Sequence, residues 1–171
     1  MREPNIEKTI TITRASVVAR ITGILNMMSK VRYDGTNARY INHIVPKIDF
    51  DSEKGIIDDI FKDSVGGLAK RIKCYVTSSK IVPSGENDES DTTHCELRLS
   101  FPYNWATQEE DTLEDKINEY LAYQMIALWL EKTSPQDMVY YEPKAQDLLH
   151  EVRHTCEMRN RERHEVRYIT D

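Results

Sequence analysis

The chain has 171 residues and a mass of 20.0 kDa, with 39% hydrophobic and 30% charged residues. This length predicts a single domain over 1–171 that can bury a core without a disulfide or a structural metal, and the composition argues against a wholly disordered chain. With 23 basic and 29 acidic residues, the net charge is −6, which disfavours free duplex DNA as a partner of the whole surface.

The cysteines and the hydropathy pattern predict where the protein is made. Cys74, Cys95 and Cys156 are far apart and form no CxxC pair, which favours a reduced, intracellular assembly site over a disulfide framework. No apolar run is long enough to span a bilayer and no signal peptide opens the chain. We therefore expect no membrane partner.

The N-terminal region predicts a strand followed by a helix and a loop. Isoleucine alternates with threonine over 9–13, which is typical of a strand, and Thr13 can cap the next helix. Apolar residues at helical spacing place that helix at about 14–31, with Gly23 as a weak point. Residues 33–47 lack periodicity and predict a loop long enough to serve in binding or docking.

The middle of the chain predicts a second helix and a β-hairpin. Asp51 or Ser52 can cap this helix, and Gly66–Gly67 within it indicates a kink or a close contact with another backbone. Two strand-like segments over about 73–101 then form the hairpin. Its acidic tip, 84–92, is interpreted as a solvated loop, with a docking surface as the alternative.

The C-terminal half predicts two further helices. The first, at about 110–132, begins among acidic residues and should form the centre of the core. Ser134–Pro135 then starts a last helix, with Asp137 completing a box-like cap and Pro143 kinking it early. Residues 164–170 are predicted to return as a strand that can pair with the N-terminal strand.

Residues 150–154 read His-Glu-Val-Arg-His, which matches the HExxH motif of zinc hydrolases. In that motif two histidines one turn apart bind Zn²⁺ and the glutamate acts as general base. Here only 17 residues follow His154 to supply a third ligand, and Arg153 places a cation inside the motif. We therefore interpret His150, Glu151 and His154 as a chance match on a solvated helix face.

Other catalytic patterns are missing from the sequence. It contains no GxSxG, P-loop or GxGxxG motif. Cys156 falls on an apolar stripe, so we interpret it as a core residue rather than a nucleophile. We predict no enzymatic activity, no catalytic or metal-binding residues and no cofactor.

Two charged segments are the candidate interfaces. Arginines alternate with glutamates after residue 150, which indicates a salt-bridged exposed helix or a surface for a protein partner or a DNA phosphate. The hairpin tip 84–92 and the C-terminal segment 159–171 are expected to become ordered only on assembly. The candidate contact residues are Asp88, Glu89, Asp91, Arg159, Arg161, Arg163 and Arg167.

The aromatic residues of the last two predicted helices are interpreted mainly as core, with a subunit interface as the alternative. They are Tyr120, Tyr123, Trp129, Tyr140 and Tyr141.

Three segments carry a resemblance to a known group of proteins. Residues 56–72, beginning Ile-Ile-Asp-Asp-Ile-Phe, resemble the first long helix of phage head–tail connector (adaptor) proteins, and 113–130 resemble their central helix. Tyr140 to Leu149 resembles the closing helix of virion proteins from phages of Bacteroides-type gut bacteria, including crAss-like ring proteins. The strand at 9–13 is similar to that group too, whereas Pro143 and the loop 33–47 depart from it.

The resemblance implies an α+β, mostly α-helical, connector-like fold of about four helices with an inserted hairpin and short terminal strands. It also implies a non-enzymatic virion subunit at the head–tail junction, assembled in the host cytoplasm. Such a subunit would form a homo-oligomeric ring of about twelve copies through head-to-tail contacts, dock on the portal and other tail proteins, and line the channel. An acidic chain would let genomic DNA pass without specific binding.

Three alternatives remain beside this hypothesis. A tail-completion or tail-terminator protein would use the same element order. A bacterial interaction or regulatory module would show specific duplex binding that weakens with salt. A zinc hydrolase using His150, Glu151 and His154 is the least favoured.

Overall fold

The computed structural model describes residues 4–33, 48, 53–83 and 93–160. These residues form a mostly helical α+β fold, which confirms the predicted class. The elements in chain order are β1 (Ile6–Thr13), α1 (Arg14–Tyr33), α2 (Lys54–Arg71), β2 (Val76–Val82), β3 (His94–Phe101), α3 (Glu110–Thr133), α4 (Pro135–Met138) and α5 (Glu142–Glu157).

The described strands form an antiparallel sheet in the order β1-β3-β2. β3 lies in the centre, and Ile10 and Ile12 of β1 face Leu97 and Cys95 across the ladder. Alternate residues of β3 are buried, because the period of a strand is two and only one face of the sheet meets the helices. The two predicted hairpin strands are confirmed, whereas the tip 84–92 lies outside the described residues.

Helix α3 occupies the centre of the hydrophobic core, as predicted. It packs against α1, α2 and α5, and its apolar residues at i, i+3 and i+4 spacing, such as Leu113, Ile117 and Leu121, are buried. Its first turn holds Glu110 and Asp111, where the helix dipole favours negative charge. Glu110 also forms an ion pair with Lys8 of β1.

The junction of β1 and α1 is fixed by side chains. The Ser16 backbone N–H donates to Thr13 Oγ1 at 3.2 Å, so the predicted Thr13 cap is confirmed. Arg14, whose side chain is almost fully buried, forms an ion pair with Asp58 of α2. Its backbone N–H donates to the Thr93 carbonyl at 2.9 Å. These contacts tie the start of α1 to both the sheet and α2.

Helix α2 runs through Gly66 and Gly67 without interruption. A Cβ atom built on either glycine meets nothing within 4 Å, so the predicted close contact with another backbone is wrong at both positions. The helix begins after Glu53, whose carboxylate accepts a hydrogen bond from Trp129 Nε1 at 2.9 Å. The proposed caps Asp51 and Ser52 lie outside the described residues.

The segment predicted as one last helix forms two separate helices, α4 and α5. Ser134 precedes α4 and Pro135 lies at its start, as expected. The predicted cap is not formed, because the Ser134 side chain makes no hydrogen bond to the backbone of the first turn and its Oγ donates instead to the Asp137 carboxylate at 2.6 Å. Pro143 does not kink a helix: it lies in the first turn of the separate helix α5. Backbone N–H groups in the first turn of a helix have no partner within the helix. Proline, which lacks this N–H group, is therefore tolerated there.

The chain beyond α5 packs against the loop that follows β3. Arg159 forms an antiparallel bridge with Trp105, and the Asn160 N–H donates to the Asn104 carbonyl at 2.8 Å. Arg159 and Asn160, the first two residues of the segment 159–171, thus contact the rest of the chain, and the expectation that this segment orders on assembly stays a prediction. Residues 161–171, with the strand predicted at 164–170, and residues 34–47 of the predicted loop lie outside the described residues.

Candidate interaction surface

The histidine motif lies on the exposed face of α5, as the sequence predicted. His150, Glu151 and His154 are all exposed. Lys116 Nζ of α3 donates to Glu151 Oε2 at 2.8 Å, and this hydrogen bond lowers the pKa of the Glu151 carboxyl. Glu151 thus serves to join α3 to α5, and a carboxylate held by a lysine is a weakened general base.

Arg153, inside the same motif, has a structural partner. Its Nε and Nη2 atoms donate to the carbonyl of Arg71, the last residue of α2, at 3.3 and 3.1 Å. Carbonyls at a helix C-terminus lack partners within the helix and attract cations. Among residues 4–33, 48, 53–83 and 93–160, His, Cys, Asp and Glu form no group of three that could hold a metal ion.

The cysteines occupy different environments. Cys156 is fully buried, as its place on the apolar stripe predicted, and burial raises the pKa of its thiol to about 12. Burial also raises the pKa of Cys95, whose sulfur lies 3.6 Å from Ser79 Oγ. Cys74 is exposed. A thiol that stays protonated is a poor nucleophile, so neither buried cysteine is suited to covalent chemistry.

Arg159 is the one predicted interface residue that lies in the described part of the chain. Its Nη1 donates to the carbonyls of Cys156 and Met158, each at 2.9 Å. The guanidinium thus caps the end of α5, which accounts for its charge without a partner protein. Asp88, Glu89, Asp91, Arg161, Arg163 and Arg167 lie outside the described residues.

A groove of about 640 Å³ lies between α1 and α3. The α1 wall combines three small residues with Arg20 and Ile24 and has the exposed Met27 near its end. The α3 wall carries Glu119 and Tyr123. Arg20 and Asp115 form an ion pair from one helix to the other. The lining residues are Ser16, Ala19, Arg20, Gly23, Ile24, Met27, Glu119 and Tyr123.

A second exposed apolar feature is the turn between α4 and α5. Val139 is 61% exposed and Tyr140 51% exposed. The next residue, Tyr141, is fully buried, and its hydroxyl donates to Met28 Sδ at 3.4 Å. Among the predicted core aromatics, Tyr120, Trp129 and Tyr141 are buried as expected, whereas Tyr140 is not.

The groove is not predicted from the sequence. Gly23 is interpreted there as a weak point of α1, whereas Ser16, Ala19 and Gly23 follow one another at helical spacing on a face outside the buried stripe. This row of small residues, which ends at the exposed Met27, is the sequence pattern that could have indicated a groove. The α3 wall could not be assigned from sequence, because it depends on how the two helices pack.

Comparisons with known proteins return no relatives. No family model, curated protein or solved structure matches the chain. Within the described residues, no helix has the length and apolar character needed to cross a bilayer.

Proposed function

We propose that the chain is a structural, non-enzymatic subunit of a phage virion, a head–tail connector (adaptor) or ring protein that docks on the portal and lines the DNA channel. The observation that carries the proposal is the order of the elements. A strand, two helices, a hairpin, a long central helix and a closing helix share one core. The three segments that resemble connector proteins lie in or next to α2, α3 and α5 of this order.

The placement of reactive side chains supports a structural role. Glu151 joins two helices through Lys116, Arg153 caps α2, and Arg159 caps α5. The first two contacts join separate elements of the fold, and the third satisfies carbonyls at the end of the helix that precedes Arg159. The exposed groove and the exposed Val139–Tyr140 turn are apolar surfaces of the kind that mark contacts between proteins.

The test is binding to the portal protein encoded in the same genome. We expect the purified chain to co-sediment with assembled portal and to add a ring of density below it in averaged electron micrographs. Binding to the tail tube but not to the portal would contradict the connector proposal and favour a tail-completion protein. Binding to neither would contradict both.

A further inference from the structure

Strand β1 has an open edge. Among the described strands, the order β1-β3-β2 gives β1 a neighbour on one side only. The Arg14 N–H donates to the Thr93 carbonyl at 2.9 Å and continues the ladder between β1 and β3. Bonded pairs alternate with non-bonded pairs along an antiparallel ladder, so every second residue of β1 turns its backbone groups away from β3. These residues are Glu7, Thr9 and Thr11.

β1 is also the more regular of the two edges of the sheet. Its register with β3 runs without a shift over 6–13. The register between β2 and β3 shifts between Val76 and Ser78. Such irregularities protect an edge from pairing with another strand, whereas a long regular edge is a template for one. The edge of β1 is therefore the more receptive position for a further strand.

The chain beyond α5 leads to this edge. The Asn160 N–H donates to the Asn104 carbonyl at 2.8 Å, and Gln108 Nε2 donates to Asn160 Oδ1 at 3.2 Å. Two residues after Gln108, Glu110 forms its ion pair with Lys8 of β1. Asn160 thus lies at the end of the sheet where β1 begins.

The residues that follow Asn160 have the length and the composition of an edge strand. Residues 161–163 can span about 10 Å, which is about the distance from β3 to a position outside β1. Residues 164–170 can then run along β1 in the same direction, because they start at the end where β1 starts. This segment contains Val166, Tyr168 and Ile169, residue types that favour strands.

We propose that residues 164–170 add to the open edge of β1 as a further strand, parallel to β1. Side chains alternate between the two faces of a sheet, and one face of this sheet is covered by helices. Val166 and Tyr168 take the covered face. Glu165 and Arg167 take the open face. The added strand hides the backbone groups that would otherwise pair with other chains.

The pairing does not depend on the proposed function. A strand added within the same chain is present in the monomer. If 159–171 orders only on assembly, the edge of β1 is open in the free chain. The two expectations for this segment therefore predict opposite rates of hydrogen exchange at β1.

Hydrogen exchange of the full chain, followed residue by residue by NMR at a concentration where it is monomeric, tests the pairing. The informative amides are the three that point away from β3, those of Glu7, Thr9 and Thr11. We expect each amide that the added strand engages to exchange at least about tenfold more slowly than an exposed amide, because it donates a hydrogen bond. A parallel partner engages alternate residues, so at least one of the three should be slow.

Two lysine variants at neighbouring positions separate the two faces of the added strand. Tyr168→Lys places a charge on the covered face, which is costly, and Ile169→Lys places the same side chain on the open face. We expect Tyr168→Lys to return the slow edge amides to fast exchange and Ile169→Lys to leave them slow. The amides of Ile10 and Ile12, which face β3, should stay slow in both variants and show that the sheet is intact.

Three results overturn the pairing. Fast exchange of all three edge amides in the wild type would show an open edge. Equal acceleration by both lysine variants, or by neither, would contradict the assigned face. Protection that weakens on dilution would show that a second copy supplies the strand. Each result leaves binding to the portal untouched, so the proposed function stands or falls separately.

Discussion

The hydroxyl of Thr13 sets the boundary between β1 and α1, because it satisfies a backbone N–H that the first turn of the helix leaves free. We expect Thr13→Ala to lower the free energy of unfolding by about 1 kcal/mol, the usual value of an N-cap. Thr13→Ser keeps the hydroxyl and should stay close to the wild type. Urea unfolding followed by circular dichroism measures both, and equal stability of wild type and Thr13→Ala would contradict the capping role.

The three thiols should differ in reactivity. Burial raises the pKa of Cys156 from 9.0 to about 12, so the folded state keeps a proton that the unfolded chain begins to lose near pH 9. The contribution of this thiol to stability is therefore complete below pH 9 and is lost as the pH rises towards 12. At pH 8 we expect iodoacetamide to modify Cys74 rapidly, and Cys95 and Cys156 only after unfolding.

Mass spectrometry of the labelled peptides, with a urea-unfolded sample as control, reports this difference. Labelling of native Cys156 as fast as that of Cys74 would show that the thiol is accessible, and the buried position would be wrong.

The HExxH match makes a prediction about metal. Lys116 engages Glu151, and the described residues supply no third ligand beside His150 and His154. We expect the chain, equilibrated with zinc and then desalted, to hold far less than one zinc per chain by elemental analysis. His150→Ala should leave that content unchanged. One zinc per chain that disappears in His150→Ala would instead favour the hydrolase alternative.

At the level of elements, α2 offers a direct test of helix packing. Gly66 lies inside this helix with open space where a Cβ atom would be. Gly66→Ala should therefore raise the free energy of unfolding by about 0.5–1 kcal/mol, because alanine loses less backbone entropy in a helix. Thermal and urea unfolding measure the change. A loss of stability would show that another group packs closely against the glycine.

Most elements could be predicted from sequence because their signals are local. The alternation of β3, the apolar spacing of α3 and the Thr13 cap each depend on residues a few positions apart. The last helix was predicted less well. In the sequence, Pro143 is compatible with either a kink within a helix or the first turn of a new helix. The chain breaks before α5 at Tyr141, which is buried and contacts Met28, and such a tertiary contact cannot be predicted from neighbouring residues.

The interaction surface could be predicted only in part. The sequence predicts interface residues in two charged segments. Arg159, the one of them that lies in the described part of the chain, caps the end of a helix. The groove needs two helices that are distant in sequence, joined by the Arg20–Asp115 pair. The periodicity of apolar residues within one helix does not indicate which other helix it packs against. The α1–α3 contact therefore could not be predicted from the sequence.

At the level of the whole molecule, the surface charge bears on the channel hypothesis. The chain carries a net charge of −6, and exposed acids Asp111, Glu114 and Asp115 lie on the first half of α3. A negative wall repels the phosphates of passing DNA rather than retaining them. This charge is consistent with a channel subunit and disfavours a module that binds duplex DNA.

The mass and particle shape of the purified chain at high concentration test the proposed assembly function most directly. Light scattering combined with negative-stain imaging gives both. We predict closed rings, free or formed when the portal is added, with a central opening wide enough for duplex DNA. A chain that stays monomeric at every concentration and remains monomeric in the presence of portal would contradict the assembly role.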